Sequence, residues 1–210
     1  MDIVTLRDPA VSRLRKRHPL LKNKKIIGRG VFCRVFEGST PQSVYKLTAD
    51  RSHVEYLTDR LSPQGRFKPV VIEDYGVVGT LKTGTDIYLL EVERLQRLKR
   101  RSKNARLVAE IMNQTRRALP TEDKALEKDQ PGLLEFMEDL NNFTYNFLCT
   151  FDLHYANFME RTDGTLIFSD PVFDEEIRGK HWDRLYQMSV FGTAKRLVQQ
   201  RMPIKLNVGP

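Results

Sequence analysis

The chain has 210 residues, 40% of them apolar, with 35 Lys and Arg against 27 Asp and Glu for a formal charge of +8. That apolar content excludes a disordered chain, and the basic balance favours anionic partners without choosing among nucleotides, nucleic acid, acidic proteins and membrane surfaces. The two cysteines, Cys33 and Cys149, form no C-x-x-C pair, which argues against a zinc site or disulfide framework and fits buried thiols in a reducing compartment.

Residues 1–25 read as a basic, irregular segment, with RLRKRH ending at His18 as a solvated helix face or an arm and no apolar h-region in MDIVTLRDPA. No apolar run approaches the roughly 20 residues of a membrane helix, so an intracellular, cytoplasmic protein without membrane contact is expected. From 26 to 47 the pattern is strand-like: IIGRGVFCRVFEG, then STPQ, then SVYKL. Gly38, Ser39, Thr40 and Pro41 punctuate it as a hairpin. A helix is expected over about 52–62, started by Ser52. KPVVIEDYG and DIYLLEVERL read as two further strands joined through a turn containing KTGTD. QRLKRRSKNARLVAEIMNQTRRAL then reads as a basic helix, and residues 121–132 as a polar loop. Leu133, Phe136, Met137, Leu140, Phe143 and Phe147 recur at helical spacing over 133–148. TFDLHYANFMERTDGTLIFSDPVF follows as a loop, a strand NFME, a turn at Asp163-Gly164 and a strand LIFSD. The tail HWDRLYQMSVFGTAKRLVQQRM reads as helical. A mostly β first half meets a mostly α second half near 92–96, dividing the chain into 1–25, 26–95 and 96–210.

Asn157 lies five residues after Asp152, and Asp170 thirteen after Asn157. Phosphoryl transfer from ATP needs a carboxylate to take the attacking hydroxyl's proton and oxygen ligands for magnesium. In protein kinases these needs are met by D-x-x-x-x-N followed by D-F-G. Asp and Asn are also common in loops because they cap turns. The quartet Asp152, His154, Asn157 and Asp170, with strands between, is more specific than any pair. Upstream, Gly28, Gly30 and Val35 form G-x-G-x-x-x-x-V. A strand follows rather than a helix, which disfavours a dinucleotide fingerprint and fits a glycine-rich hairpin tip over ATP phosphates. Cys33 replaces the third glycine of such a loop.

Lys46 in SVYKL matches the V-A-I-K context. Alone it would read as a solvated strand lysine; eleven residues after Val35 it suits the phosphates. Glu55 has two readings, ion-pair partner of Lys46 or member of a Ser52-x-x-Glu55 capping box. Glu91 to Arg94, with Glu91 and Glu93, fit the crossing between lobes where backbone would meet adenine. Arg97, Lys99, Arg100, Arg101, Lys103 and Arg106 form the densest positive run. It reads as a solvated helix face or as a docking surface for an acidic protein or nucleic acid. No interleaved aromatics support stacking of a single strand.

Together these residues resemble the protein-kinase-like superfamily and, within it, the early serine/threonine protein kinases of T7-like phages. The resemblance is carried by Phe151, Asp152, His154, Asn157 and Asp170-Pro171-Val172 and spans roughly 26–190. The D-x-H-x-x-N loop is also similar to aminoglycoside and choline phosphotransferases. The resemblance implies an α+β, two-lobed protein-kinase-like fold, with a small antiparallel N-lobe sheet and a reduced, mostly helical C-lobe. It implies ATP- and Mg²⁺-dependent phosphorylation of Ser/Thr hydroxyls on host proteins, in the bacterial host's cytoplasm. Asp152 would be the base, and Asn157 and Asp170 would hold magnesium. Lys46 would hold phosphates and Glu55 would position Lys46. Gly28, Gly30, Val35, Glu91 and Glu93 would line the nucleotide site. His154 would either contact the γ-phosphate or sit as a loop histidine bonded to backbone.

Phe151 stands where H-R-D has arginine, so no local reader of a phosphorylated activation loop is present, and activity without such phosphorylation is expected. No A-P-E follows Asp170 and the chain ends 40 residues later, so peptide recognition is expected on another surface. A small-molecule phosphotransferase and a kinase-shaped protein that inhibits a partner by contact are the alternatives. The presence of Lys46, Asp152, Asn157 and Asp170 ranks the active enzyme first. Charge alone leaves an unrelated nucleic-acid-binding protein open.

Overall fold

The computed structural model describes residues 9–115, 119–120, 122–177 and 179. The helix expected in the tail lies outside the described residues. Pro9, whose fixed φ suits a first helical turn, opens α1 (Pro9–Arg17). Of the two readings of RLRKRH, helix face and arm, the helix is the one observed, and Val11 and Leu14 give it an apolar face to lay on the sheet.

Next come β1 (Ile26–Arg29), β2 (Cys33–Glu37), β3 (Ser43–Thr48), α2 (Arg51–Thr58), β4 (Val71–Thr80) and β5 (Asp86–Glu93), in the predicted order. The strands pair in the order β1-β2-β3-β5-β4, antiparallel throughout. Central β3 is buried along its whole length. Side chains alternate faces along a strand: Tyr45 and Leu47 join Phe36 and Leu89 beneath α1 on the outer face. Val44 joins Leu90 and Val92 on the inner face. Lys46 has the parity of Val44 and therefore faces inward.

Three boundaries depart from the sequence reading. α2 is capped by Asp50, whose Oδ1 accepts from His53 N at 3.1 Å, and not by Ser52. Thr48 Oγ1 accepts from Asp50 N at 3.1 Å, turning the chain so that Asp50 meets the helix start. β4 runs past Gly76, which takes φ +65° where the register with β5 slips between Asp74 and Val77. The basic helix begins only at α3 (Lys103–Gln114), capped by Ser102. Before it, Gln96–Arg97 forms β6 by pairing with Glu160 and Met159, a long-range pairing with no local signature. α4 (Lys124–Asp129) appears in the expected loop, capped by Asp123.

α5 (Leu133–Asn146) matches its periodicity and buries Phe136, Met137, Leu140 and Phe143. Beyond it, β7 (Thr150–Phe151) pairs with β10 (Val172–Phe173), and β8 (Phe158–Glu160) with β9 (Leu166–Phe168). The predicted Asp163-Gly164 turn closes the β8–β9 hairpin, with Gly164 at φ +86° and Asp163 Oδ1 accepting from Thr165 N at 2.9 Å.

The inner face of the sheet, α2, α3, α5 and the hairpins share one core. Phe168 anchors it, with ring centroids 5.2 Å from Phe136 and 4.9 Å from Phe158. Tyr56 OH on α2 donates to the Phe168 carbonyl at 2.8 Å, tying the helix to the strand that leads to Asp170. The protein is thus α+β with a small antiparallel sheet. Among the described residues no helix is long and apolar enough to cross a membrane.

Candidate functional site

A cleft of about 1110 Å³ lies between the inner face of the sheet and the segments around β7, β8 and β10. Its lining includes Gly28, Gly30, Val35, Lys46, Glu93, Asp152, His154, Asn157 and Asp170. The structure therefore gathers into one cleft every site residue expected from sequence except Glu55 and Glu91.

The roof is the β1–β2 tip. A Cβ on Gly28 would stand 3.1 Å from Val35 Cβ, tighter than comfortable contact, so the close crossing of the two strands favours glycine there. The tip is drawn toward β3: Phe32 O accepts from Ala49 N at 3.0 Å and from Thr48 Oγ1 at 3.1 Å. Cys33 points inward, and burial pushes its thiol up to about 12. Burial does the same to Cys149. Both are buried, unbridged thiols, as the sequence suggested.

Lys46 is 8% exposed and lies on the central strand between Val35 and Leu90. Its Nζ is 2.5 Å from His53 Nε2 and 3.4 Å from Asp170 Oδ2. His53 is 1% exposed, and its Nδ1 lies 2.6 Å from Asp170 Oδ1. That contact is short but off the axis of the ring N–H, so its attraction is mainly electrostatic. Burial opposes the charge on Asp170, yet His53 and Lys46 outweigh it and hold the carboxyl well below the usual carboxylate range. Burial, helped by the Lys46 charge, lowers the His53 imidazole against the pull of Asp170.

His53 takes the place expected of Glu55. Glu55 instead pairs with Arg51 one helical turn away, Nε to Oε1 at 3.1 Å, so it neither meets Lys46 nor forms the capping box. The reason is helical phase: residues two apart on a helix point about 200° away from each other. With Asp50 as cap, it is His53 that faces the strand.

The floor is the loop from Asp152 to Asn157. Asp152 N donates to Pro171 O at 2.8 Å, locking the loop to the returning strand. Asn157 Nδ2 donates to Asp152 O at 2.7 Å, which leaves its Oδ1 without a protein partner among the described residues. Ser169 N donates to Asn157 O at 2.8 Å, bringing Asp170 beside Asn157. Asp152 is half exposed, and His154 Nε2 stands 3.7 Å from its Oδ2. Among the described residues no three His, Cys, Asp or Glu side chains are placed to hold a metal ion by themselves. Asn157 and Asp170 offer two hard oxygen donors, which fits magnesium, an ion that keeps waters and phosphate oxygens in its remaining positions.

Glu91 and Glu93 have other work. Glu91 is buried on the outer face and accepts from Ser39 N at 2.8 Å, from the Ser39 and Ser43 hydroxyls, and from Tyr75 OH at 3.3 Å. Burial opposes its charge, but these donors prevail and lower its pKa. Strand alternation turns its side chain away from the cleft, whose lining on this segment runs from Val92 to Leu95. Glu91→Leu is expected to cost about 2 kcal/mol of stability by removing the shared acceptor of Ser39 N and the Ser39 and Ser43 hydroxyls, with nucleotide affinity unchanged. Denaturant melts beside a nucleotide titration check both halves. Glu93 reaches the cleft edge, but its carboxylate accepts from Val70 N at 2.8 Å and forks onto Arg161, Nη2 to Oε1 at 2.6 Å. Arg161 Nη2 also donates to Lys68 O at 3.0 Å, so this pair clamps the end of β5 to the β8–β9 hairpin.

The basic run is split between β6, a turn and α3, and its side chains are exposed. Lys103 pairs with Asp129 at 2.8 Å. Arg94 and Arg97 line the cleft mouth. No protein-family model matches this chain, and no curated protein matches it.

Proposed function

We propose that this protein is an ATP- and Mg²⁺-dependent phosphotransferase with a two-lobed, protein-kinase-like fold, acting on Ser/Thr hydroxyls of proteins. The observation that carries this reading is the convergence of Lys46, Asp152, Asn157 and Asp170 on a cleft roofed by the Gly28–Gly30 hairpin. These are the parts that phosphoryl transfer requires: a cation for the phosphates, oxygen donors for the metal and a carboxylate at the acceptor.

Lys46 presents its ammonium to the nucleotide phosphates. Asn157 Oδ1 and the Asp170 carboxylate would hold magnesium, which when bound neutralises phosphate charge. The acceptor hydroxyl oxygen bonds to the γ-phosphorus, the bond from that phosphorus to the β–γ bridging oxygen breaks, and ADP leaves. Asp152 takes the hydroxyl proton. Its half-exposed position beside His154 suits an acceptor arriving from solvent. Exposed Arg94 and Arg97 at the mouth, continuous with the basic run, favour an acidic polypeptide over a cationic small molecule.

Incubation with radiolabelled ATP, Mg²⁺ and a bacterial lysate tests the reading. Label on discrete protein bands, absent with Asp152→Ala, is expected. Transfer to small molecules alone would instead favour the small-molecule phosphotransferase. Absence of any nucleotide binding would end the enzymatic reading.

A further inference from the structure

On the phosphotransferase reading, Lys46 and Asp170 must be held in register, one for phosphate and the other for metal. We propose that His53 is a positioning residue that holds both at once, so that the site is assembled by the fold itself rather than by a movable helix.

The chemistry of the contacts assigns its state. An ammonium has three donors and no acceptor, so His53 Nε2, 2.5 Å from Lys46 Nζ, must be the acceptor. With Nε2 accepting, Nδ1 is the nitrogen left to carry the ring proton, and it stands 2.6 Å from Asp170 Oδ1. One imidazole thus offers a lone pair to the cation at one nitrogen and sets its other nitrogen 2.6 Å from the anion. A glutamate there would satisfy Lys46 but set a second negative charge against Asp170.

The mounting of the ring is rigid. α2 starts at Arg51, three residues after β3 ends at Thr48, so the helix has little slack. His53's own N–H is the capping donor to Asp50 Oδ1 at 3.1 Å. Three residues on, Tyr56 OH holds the Phe168 carbonyl at 2.8 Å, two residues before Asp170. Swinging α2 outward would break the cap, the Tyr56 bond and both His53 contacts together. A helix fixed in this way gives no on–off movement of the Lys46 partner, which agrees with the lack of an arginine before Asp152.

The test uses the full chain in two ways. First, a long-range ¹H–¹⁵N spectrum of the ¹⁵N-histidine protein, without nucleotide, reads the tautomer. The His53 signals, identified by their loss in His53→Gln, are expected to report protonated Nδ1 and bare Nε2. A protonated Nε2, which could not accept from Lys46, would overturn the proposal. Second, phosphoryl transfer is compared across three substitutions whose thermal melts are recorded alongside. His53→Gln, which keeps an acceptor and a donor, is expected to stay within about tenfold of wild type, whereas His53→Leu loses roughly a hundredfold in kcat with a smaller change in the KM for ATP. His53→Glu, which restores only the Lys46 partner, is expected to do no better than His53→Leu. A Glu variant equal to the Gln variant would reduce His53 to a partner of Lys46 alone and refute the bridging role. Wild-type activity with an unimpaired Leu variant would sink this proposal only. An inactive wild type would sink the phosphotransferase reading and this proposal with it.

Discussion

Asp152→Asn is expected to lower the turnover of phosphoryl transfer on the order of a thousandfold while leaving MgATP affinity unchanged. The side chain is half exposed at the cleft floor, with His154 Nε2 3.7 Å from its Oδ2. Its backbone, not its carboxylate, carries the loop architecture, through the N–H to Pro171 O at 2.8 Å and the carbonyl to Asn157 Nδ2 at 2.7 Å. An amide of the same shape preserves that scaffold and removes only the basic oxygen. Asp170→Asn is expected to be as inactive for a different reason. It deprives the cleft of its anionic metal donor and leaves Lys46 and His53 facing a neutral amide. Calorimetric titration of ATP with and without Mg²⁺ separates the two. Asp152→Asn should keep the Mg²⁺-dependence of binding, and Asp170→Asn should lose it. Unchanged turnover in the Asp152 variant would remove Asp152 from the role of base.

Asp50→Asn is expected to stabilise the protein at pH 8 by at most about 4 kcal/mol, the equivalent of its shift from 3.8 to about 7. Burial pushes the Asp50 carboxyl up, the neighbouring Asp170 charge adds to the rise, and the N–H of His53 opposes it. The folded state therefore keeps a proton on Asp50 that the unfolded chain has released. Between the ordinary carboxylate value and about 7, the folded state binds more protons, so this group's contribution falls as pH rises and levels off above 7. Asparagine retains the helix-capping oxygen for His53 N and does not titrate. Wild type and variant should be nearly equal in stability at pH 4 and furthest apart at pH 8. Urea melts across that range would show it, and a constant difference at every pH would contradict it.

The floor of the site was legible because it is local. Asp152, Asn157 and Asp170 fall within nineteen residues, and the Asp163-Gly164 turn between them declares itself. Lys46 was legible as a charge in an otherwise apolar strand. His53 was not, since choosing it over Glu55 requires knowing where α2 starts, and two acceptable caps, Asp50 and Ser52, stand side by side in sequence with only Arg51 between them. The face of Glu91 was equally hidden. Both faces of β5 are apolar, with Ile87 and Leu89 on one and Leu90 and Val92 on the other. A strand buried on both sides carries no alternation to read.

The sequence by itself determined the order of the elements from β1 to β5, the hairpin turns, the periodicity of α5 and the spacing of the acidic loop. Each of these depends on near neighbours, through backbone preference, capping and side-chain alternation. Only the tertiary structure decided that Gln96–Arg97 is a strand, that Glu91 faces away from the cleft and that Glu93 is committed to Arg161. It also decided that a histidine, and not a glutamate, joins Lys46 to Asp170. Those outcomes depend on register, helix phase and contacts between distant segments, and burial rewards the whole arrangement rather than any one stretch of chain.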